Sequence, residues 1–166
     1  VKDLPGGNGN GIAQPAETLN ITCVVKNFLS PTSPGSMFRL TTSSPYITVL
    51  EESFTLGSLG TLDSSSNATH PFRVYVKPTV PQSYTATMRL IFTDGSFTDA
   101  ETFTFLVNPT YQTTAVNDIQ LTLTNDGRLG FFDFPQNSEG VGFVFNGANH
   151  LFEGGLIIAT SSSRVV

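Results

Sequence analysis

Apolar and polar residues alternate along this chain in short runs, and turn-forming residues separate one run from the next. Side chains that change sides at every residue are those of a β-strand with one buried face. In the first two thirds of the chain the runs lie at 17–27, 37–42, 46–50, 54–56, 70–77 and 84–93, followed by one that ends at 107. No stretch shows the period of an amphipathic helix, so the pattern predicts an all-β protein.

The spacing of these runs predicts an architecture. Asp94 and Gly95 separate the two longest runs, and Asp-Gly between alternating segments indicates a hairpin, so these strands should pair antiparallel. Seven candidate strands in 1–108, joined by loops of Pro, Gly and Ser, predict an immunoglobulin-like antiparallel β-sandwich. The Cys, Trp and Cys marks of antibody domains are absent, so the prediction concerns architecture and not kinship with antibodies.

A second region follows. The polar, Pro-containing stretch 108–114 predicts a short linker with a domain boundary near 109. Strands are predicted beyond it at 118–125, 128–134, 142–146 and 156–160, the first two joined by the turn Asn125-Asp126-Gly127. Four strands make a sheet that is hard to bury alone. Residues 109–166 are therefore expected to be a linker and the opening strands of a partial second β domain, which continues in the parent protein.

Charge and composition restrict location and partners. The net charge is −5, and the Lys and Arg residues are scattered singly, so no patch that would neutralise nucleic-acid phosphates is expected. No apolar run approaches the ~20 residues of a transmembrane helix. Only 13% of residues are charged, and polar positions are crowded with Thr, Ser, Asn and Gly, as in many exported bacterial β-proteins. The expected location is extracellular or the bacterial cell surface.

The segment from Gly6 to Glu17 is the most informative local motif. Set against the calcium loop of an EF-hand, Asn8 falls at position 3, Asn10 at position 5, Gly11 at the turn position 6, Ile12 at the carbonyl position 7 and Glu17 at the bidentate position 12. Position 1 holds Gly6 and not Asp, so Asp3 is needed as a second carboxylate and weak affinity is expected. The alternative is a loop that turns without metal, in which Glu17 accepts hydrogen bonds from backbone amides.

No catalytic residue and no organic cofactor site is predicted. Residues 159–162 echo the Gly-Thr-Ser nucleophile signature of subtilisins, and His150 and Asp133 lie nearby in sequence. That chemistry requires a serine at a helix start on an α/β scaffold, for which the sequence has no helical period. Glu51 and Glu52 are adjacent, so on a strand they face opposite ways and cannot flank one scissile bond. The chain is therefore not expected to be an enzyme by itself.

The run from Gly6 to Asn27, with Gly-Gly-Asn-Gly-Asn-Gly-Ile, Pro-Ala-Glu-Thr and a strand ending in Val-Lys-Asn, resembles the opening of Ig-like modules in large exported bacterial proteins. There the pattern usually runs Asn-Gly-Asp-Gly and then Pro-Gly-Glu, from which Asn10 and Ala16 depart. The segments 54–59, 71–74 and 99–103 fit the same module, so the resemblance covers about the first 108 residues. Residues 117–133 and 142–156 look like the segment that follows such modules.

In that family, such regions often lie downstream of subtilisin-like serine protease domains. The resemblance implies a non-catalytic accessory module that spaces, stabilises or positions a secreted enzyme, with neighbouring domains of the parent protein as partners. The alternative is an adhesion or carbohydrate-binding sandwich with a glycan or protein ligand. Exposed aromatic side chains on a sheet face or at loop tips would favour that alternative, because sugar rings stack on aromatic surfaces.

Overall fold

The computed structural model describes residues 1–130, 132–133, 137–151, 154, 159–161 and 164–165. All regular elements in this part of the chain are β-strands, and each strand pair is antiparallel. This confirms the predicted all-β class. Since these residues contain no helix, they also contain none that could cross a bilayer. The chain forms two compact units, Val1–Pro109 and Thr110–Val166.

The first unit contains nine strands. They are β1 (Thr18–Ile21), β2 (Val24–Lys26), β3 (Met37–Thr42), β4 (Ile47–Glu51), β5 (Ser53–Thr55), β6 (Ser64–Ser66), β7 (Phe72–Val76), β8 (Tyr84–Asp94) and β9 (Phe97–Val107). One sheet has the order β1-β7-β4, the other has the order β5-β3-β8-β9, and β2 pairs with β6. A bridge between Lys2 and Asn20 places the N-terminal segment beside β1. This is the strand order of an immunoglobulin-like sandwich, as predicted.

Alternate side chains of the two sheets meet in a single core in this unit. Phe72, Val74 and Val76 of β7 are at most 1% exposed, and Ala86 and Met88 of β8 are fully buried. The other buried members of the cluster are Leu19, Ile21, Leu40, Ile47, Val80 and Val107. Each large apolar side chain contributes about 1.5–3 kcal/mol on burial. The core therefore holds the sandwich together, as the alternation along β7 and β8 predicted.

The long strand expected at 17–27 is interrupted, because its two halves pair with different strands. Its first half, β1, pairs with β7, and its second half, β2, pairs with β6. Asn67 lies opposite the interruption and is fully buried. Its side-chain oxygen accepts from Cys23 N at 2.7 Å, and its side-chain nitrogen donates to Ile21 O at 3.1 Å. The Asn67 side chain thus replaces the missing backbone partner between the two ladders.

Replacing Asn67 by Ala should lower the free energy of unfolding by about 2–4 kcal/mol, because the partly buried N–H of Cys23 and the buried C=O of Ile21 each lose their partner. Urea unfolding of the purified chain measures this change. Ser64→Ala, at an exposed position of the neighbouring strand β6, is the matched control and should stay within about 0.5 kcal/mol of the parent. Equal stability of the two variants would contradict the bridging role.

The chain also changes sheets between β4, which pairs with β7, and β5, which pairs with β3. The carboxylates at this crossing separate accordingly. Glu51 Oε1 lies 3.9 Å from Nη1 of Arg73 on β7, whereas Glu52 Oε2 lies 3.2 Å from Nη2 of Arg39 on β3. Each forms an exposed ion pair with a different sheet, so the two do not form a joint site.

The described strands of the second unit are two to six residues long. They are β10 (Tyr111–Val116), β11 (Ile119–Thr124), β12 (Phe132–Asp133), β13 (Asn137–Ser138), β14 (Phe143–Phe145), β15 (Ala148–Leu151), β16 (Ala159–Ser161) and β17 (Arg164–Val165). Their order is β10-β11-β14-β15, with β12-β13 and β16-β17 as separate pairs. The strand predicted at 142–146 is present as β14. Part of the strand predicted at 156–160, residues 156–158, lies outside the described residues.

Two expectations for this unit were wrong. The stretch 108–114 is not a linker throughout, because β10 begins at Tyr111 and pairs along its whole length with β11. The turn at Asn125-Asp126-Gly127 forms and Leu129 bridges to Leu123, but Gly130 lies in no strand, so the strand expected over 128–134 is interrupted within the described residues. β10 is exposed at every position after Tyr111, so it has no buried face to produce the alternation on which the prediction depended.

Candidate functional site

The loop before β1 contains two nearly buried acidic residues. Asp3 and Glu17 are 6% and 8% exposed, and both lie close to Gly7. A Cβ at position 7 would stand 2.9 Å from Cβ of Asp3 and 3.0 Å from Cδ of Glu17. Only glycine permits so close an approach without a shift of its neighbours. Gly7 therefore allows the backbone to pass close to both acidic residues.

Backbone amides of the loop bind both carboxylates. Glu17 Oε1 accepts from Asn8 N at 3.1 Å, and Glu17 Oε2 accepts from Gln14 N at 3.0 Å. Asp3 Oδ2 accepts from Gly11 N at 3.1 Å. Hydrogen bonds to an ionised acceptor are stronger than those between neutral groups. These contacts fix the loop against β1, and the amide contacts of Glu17 are those expected for a loop that turns without metal.

Asn8 and Asn10 are both hydrogen-bonded to Gln14, a residue that the comparison with the EF-hand loop did not include among the candidate ligands. Asn8 Nδ2 and Asn10 Nδ2 donate to Gln14 Oε1 at 2.6 and 2.9 Å. Asn8 Oδ1 accepts from Asn10 N at 3.0 Å, and Asn10 Oδ1 accepts from Ile12 N at 2.8 Å. All five predicted calcium ligands thus belong to one structured segment. Within the described residues, no group of three or more His, Cys, Asp or Glu side chains is placed to hold a metal, so the asparagine oxygens would have to take part.

Ala16 has a left-handed backbone, with φ at +65°. It occupies the position where the resembling modules have the Gly of Pro-Gly-Glu. A residue with a Cβ loses about 1–2 kcal/mol in this conformation. The local structure therefore explains why glycine suits this turn, and why the alanine of this chain is strained there.

Ala16→Gly should raise the free energy of unfolding by about 0.5–1 kcal/mol, the relief of strain less the entropy that glycine gains in the unfolded chain. Ala68→Gly is the matched control, because Ala68 is exposed and is not among the residues with positive φ. That change should lower stability by about 0.4–1 kcal/mol. Thermal and urea unfolding of both variants measure the two effects, and a shift of the same sign in both would show that Ala16 is unstrained.

A second candidate site lies where the core of the first unit opens. An apolar groove of about 350 Å³ runs between β2 and β9 and is called the β2–β9 groove below. Its apolar lining consists of Val25, Phe28, Leu29, Phe38, Leu56, Leu59, Leu90, Phe92, Phe97 and Ala100, and its polar lining consists of Lys26, Asn27, Thr32, Asp99 and Glu101. Several of these are core-facing residues that the sandwich leaves partly exposed, so the groove continues the core.

The rim of the β2–β9 groove is held by polar contacts. Asn27 Nδ2 donates to Leu59 O at 3.1 Å, and Thr32 Oγ1 accepts from Leu59 N at 2.8 Å. Phe28 and Phe97 are 70% and 48% exposed at this rim. These hydrogen bonds hold the loop that carries Phe28 against the segment around Leu59.

One wall of the groove is acidic. In the β8-β9 register, Asp99 pairs with Phe92 and Glu101 pairs with Leu90. Both carboxylates therefore lie on the same face of β9 as Phe103, which packs against the core. Across the groove, Lys26 Nζ lies 5.3 Å from the ring centroid of Phe28. The acidic wall can be seen in the sequence, because Asp99 and Glu101 occupy the same alternate positions of the strand as Phe103 and Val107.

The remaining reactive side chains of the described residues are separated from one another. His70 Nδ1 lies 3.1 Å from Thr69 Oγ1 at an exposed turn, and His150 lies on β15, 6.2 Å from the ring of Phe145. Burial raises the pKa of the Cys23 thiol, which disfavours the thiolate at neutral pH. The side chain of Asp133 and residue 162 lie outside the described part of the chain. No catalytic constellation is assigned.

Comparison with models of known protein families gives no match, and comparison with the sequences of curated proteins gives none either. Among solved structures, the chain is similar to the CsuC–CsuE chaperone–tip adhesion subunit pre-assembly complex from archaic chaperone-usher Csu pili of Acinetobacter baumannii. The match covers 87% of this chain and 85% of that chain at 10% identity, with a TM-score of 0.31. A likeness of this size carries neither function nor partners to the present chain.

Proposed function

We propose that this chain is a non-catalytic accessory module of a secreted or cell-surface multidomain bacterial protein, and that the parent is a subtilisin-like serine protease. The proposal rests on the pair of compact β units in tandem, of which the first has a hydrophobic core of its own. Modules of this kind space a catalytic domain from its surroundings or stabilise it. The resemblance of the segment from Gly6 to Asn27 supplies the link to proteases, and the sparsely charged surface supports extracellular placement.

The proposal is tested by comparing the full-length parent with a version that lacks 1–166. Deletion should leave kcat/KM on a short peptide substrate within about twofold, because the module does not contact the reacting atoms. It should shorten the half-life of activity on heating severalfold. The isolated chain should not cleave casein. Cleavage by the isolated chain, or loss of peptide hydrolysis on deletion, would contradict a non-catalytic role.

Calcium binding by the loop before β1 is part of the proposal. Its support is the placement of two nearly buried acidic residues, Asp3 and Glu17, in one structured loop with the amide side chains of Asn8 and Asn10. Carboxylate and amide oxygens are the ligands that calcium prefers. With a single pair of carboxylates the affinity should be weak, in the millimolar range typical of extracellular modules.

Calcium at about ten times its dissociation constant should stabilise the chain by about 1.4 kcal/mol and raise its melting temperature by a few degrees. Chelator should reverse the shift. Glu17→Gln should abolish it, whereas Glu52→Gln, which removes an exposed carboxylate far along the chain, should retain it. Differential scanning calorimetry measures all four conditions. An unchanged melting temperature in millimolar calcium would remove the site.

A second candidate function, adhesion or carbohydrate binding, is favoured by one observation. Phe28 and Phe97 are large aromatic side chains that stand exposed at the rim of the β2–β9 groove. Aromatic faces at loop tips are the surfaces on which sugar rings stack. Loss of glycan binding in both Phe28→Ala and Phe97→Ala would support this function.

A further inference from the structure

β9 is an unpaired sheet edge along the β2–β9 groove. All eleven of its residues pair with β8, and among the described residues no strand lies on its other side. Ala100 N donates to Oδ1 of the adjacent Asp99 at 2.8 Å, so this amide points away from β8. Because amides alternate in direction along an antiparallel strand, those of Thr98 and Thr102 point outward as well. The edge therefore presents outward-facing backbone groups, and an incoming strand would take the Ala100 amide from the Asp99 side chain.

The groove and this edge form a single surface. The core-facing positions Leu90 and Phe92 make its apolar floor, and β9 runs along its side. A strand that paired with β9 would direct every second side chain into the groove. The apolar floor and the free backbone edge thus match the two parts of an extended peptide, its alternate side chains and its main chain.

The acidic residues of the groove favour a positively charged ligand. Asp99 and Glu101 face the groove from β9, while Lys26 on the opposite wall lies against Phe28. Pairing of β9 with β9 of a second copy would bring these carboxylates towards their own counterparts, which disfavours self-association. A glycan would find few polar groups converging on the apolar floor, although its hydroxyls need several partners. A cationic strand is attracted by the two carboxylates, and its backbone finds its hydrogen-bond partners along β9.

We propose that the β2–β9 groove binds an extended peptide strand of a protein partner, with apolar side chains at alternate positions and lysine or arginine opposite Asp99 and Glu101. The peptide adds to the sheet beside β9, so its basic side chains stand opposite Asp99 and Glu101, and its apolar side chains take the neighbouring groove-facing positions next to Phe97. This binding goes beyond the accessory role, since it gives the module a ligand that is independent of any catalytic domain.

The probe is a synthetic peptide of about ten residues, in which leucine alternates with threonine in one half and lysine alternates with threonine in the other, made in both chain directions. It is titrated into isotope-labelled chain 1–166 and followed by NMR at low and high salt. Amide signals of Ala100 and Thr102 should shift and gain protection from exchange. A peptide with glutamate in place of lysine should bind at least about threefold more weakly at low salt.

Two variants and one control separate the contribution of charge from that of strand pairing. Asp99→Asn with Glu101→Gln should weaken binding about threefold to tenfold at low salt, and Glu51→Gln with Glu52→Gln, the matched removal of two charges elsewhere, should leave it within about twofold. Ala100→Pro should abolish strand addition. If that variant does not fold, a peptide N-methylated on its ladder-facing amides replaces it and should not bind.

The outcomes that would overturn the proposal are distinct. Equal binding of the lysine and glutamate peptides would refute charge selection. Binding that survives both Ala100→Pro and peptide N-methylation would refute strand addition. Shifts confined to residues outside the groove would refute the site, and binding of a neutral oligosaccharide such as cellohexaose in the groove, with no binding of the peptide, would replace the peptide by a glycan.

Discussion

Side chains from β7 and β8 pack against each other across the first unit, and the rest of that unit depends on this contact. Val74, Val76, Ala86 and Met88 are fully buried there. Since successive residues of a strand face opposite ways, burial of this interior fixes the register of the neighbouring strands. The two places where the chain changes partner, between β1 and β2 and between β4 and β5, preserve that interior. Asn67 is buried for the same reason, because it supplies the backbone partners that the first of these changes removes.

Much of this unit could be predicted from the sequence, because its strands bury one face and therefore alternate. β3 and β8 begin where the pattern begins, at Met37 and Tyr84. Strands without a buried face were missed. β6 consists of three serines and is stabilised by pairing with β2, and β10 is exposed along nearly all of its length. Hydrogen bonding alone orders such strands, and hydrogen bonding leaves no period in the sequence.

The two candidate sites also differ in how far the sequence predicts them. The loop before β1 was predictable because glycines and carboxylates lie close together in sequence, although Gln14 was not, since its role arises from where the loop folds back. The β2–β9 groove joins residues from distant segments, such as Phe28, Phe38 and Glu101. The only sign of the groove within a short stretch of sequence is that acidic residues stand at 99 and 101, on the core-facing side of β9, where apolar residues would be expected. There the core ends and an acidic, solvent-accessible wall begins.

Native-state hydrogen exchange along β9 tests most directly whether this strand is paired on one side only beside an open groove. The account predicts an alternating pattern, in which the amides of Asp99, Glu101 and Phe103 exchange slowly and those of Ala100, Thr102 and Thr104 exchange much faster. Amides of Val74 and Met88 should exchange only on global unfolding. Uniform strong protection along β9 would show that its outer edge is covered, and would contradict the account.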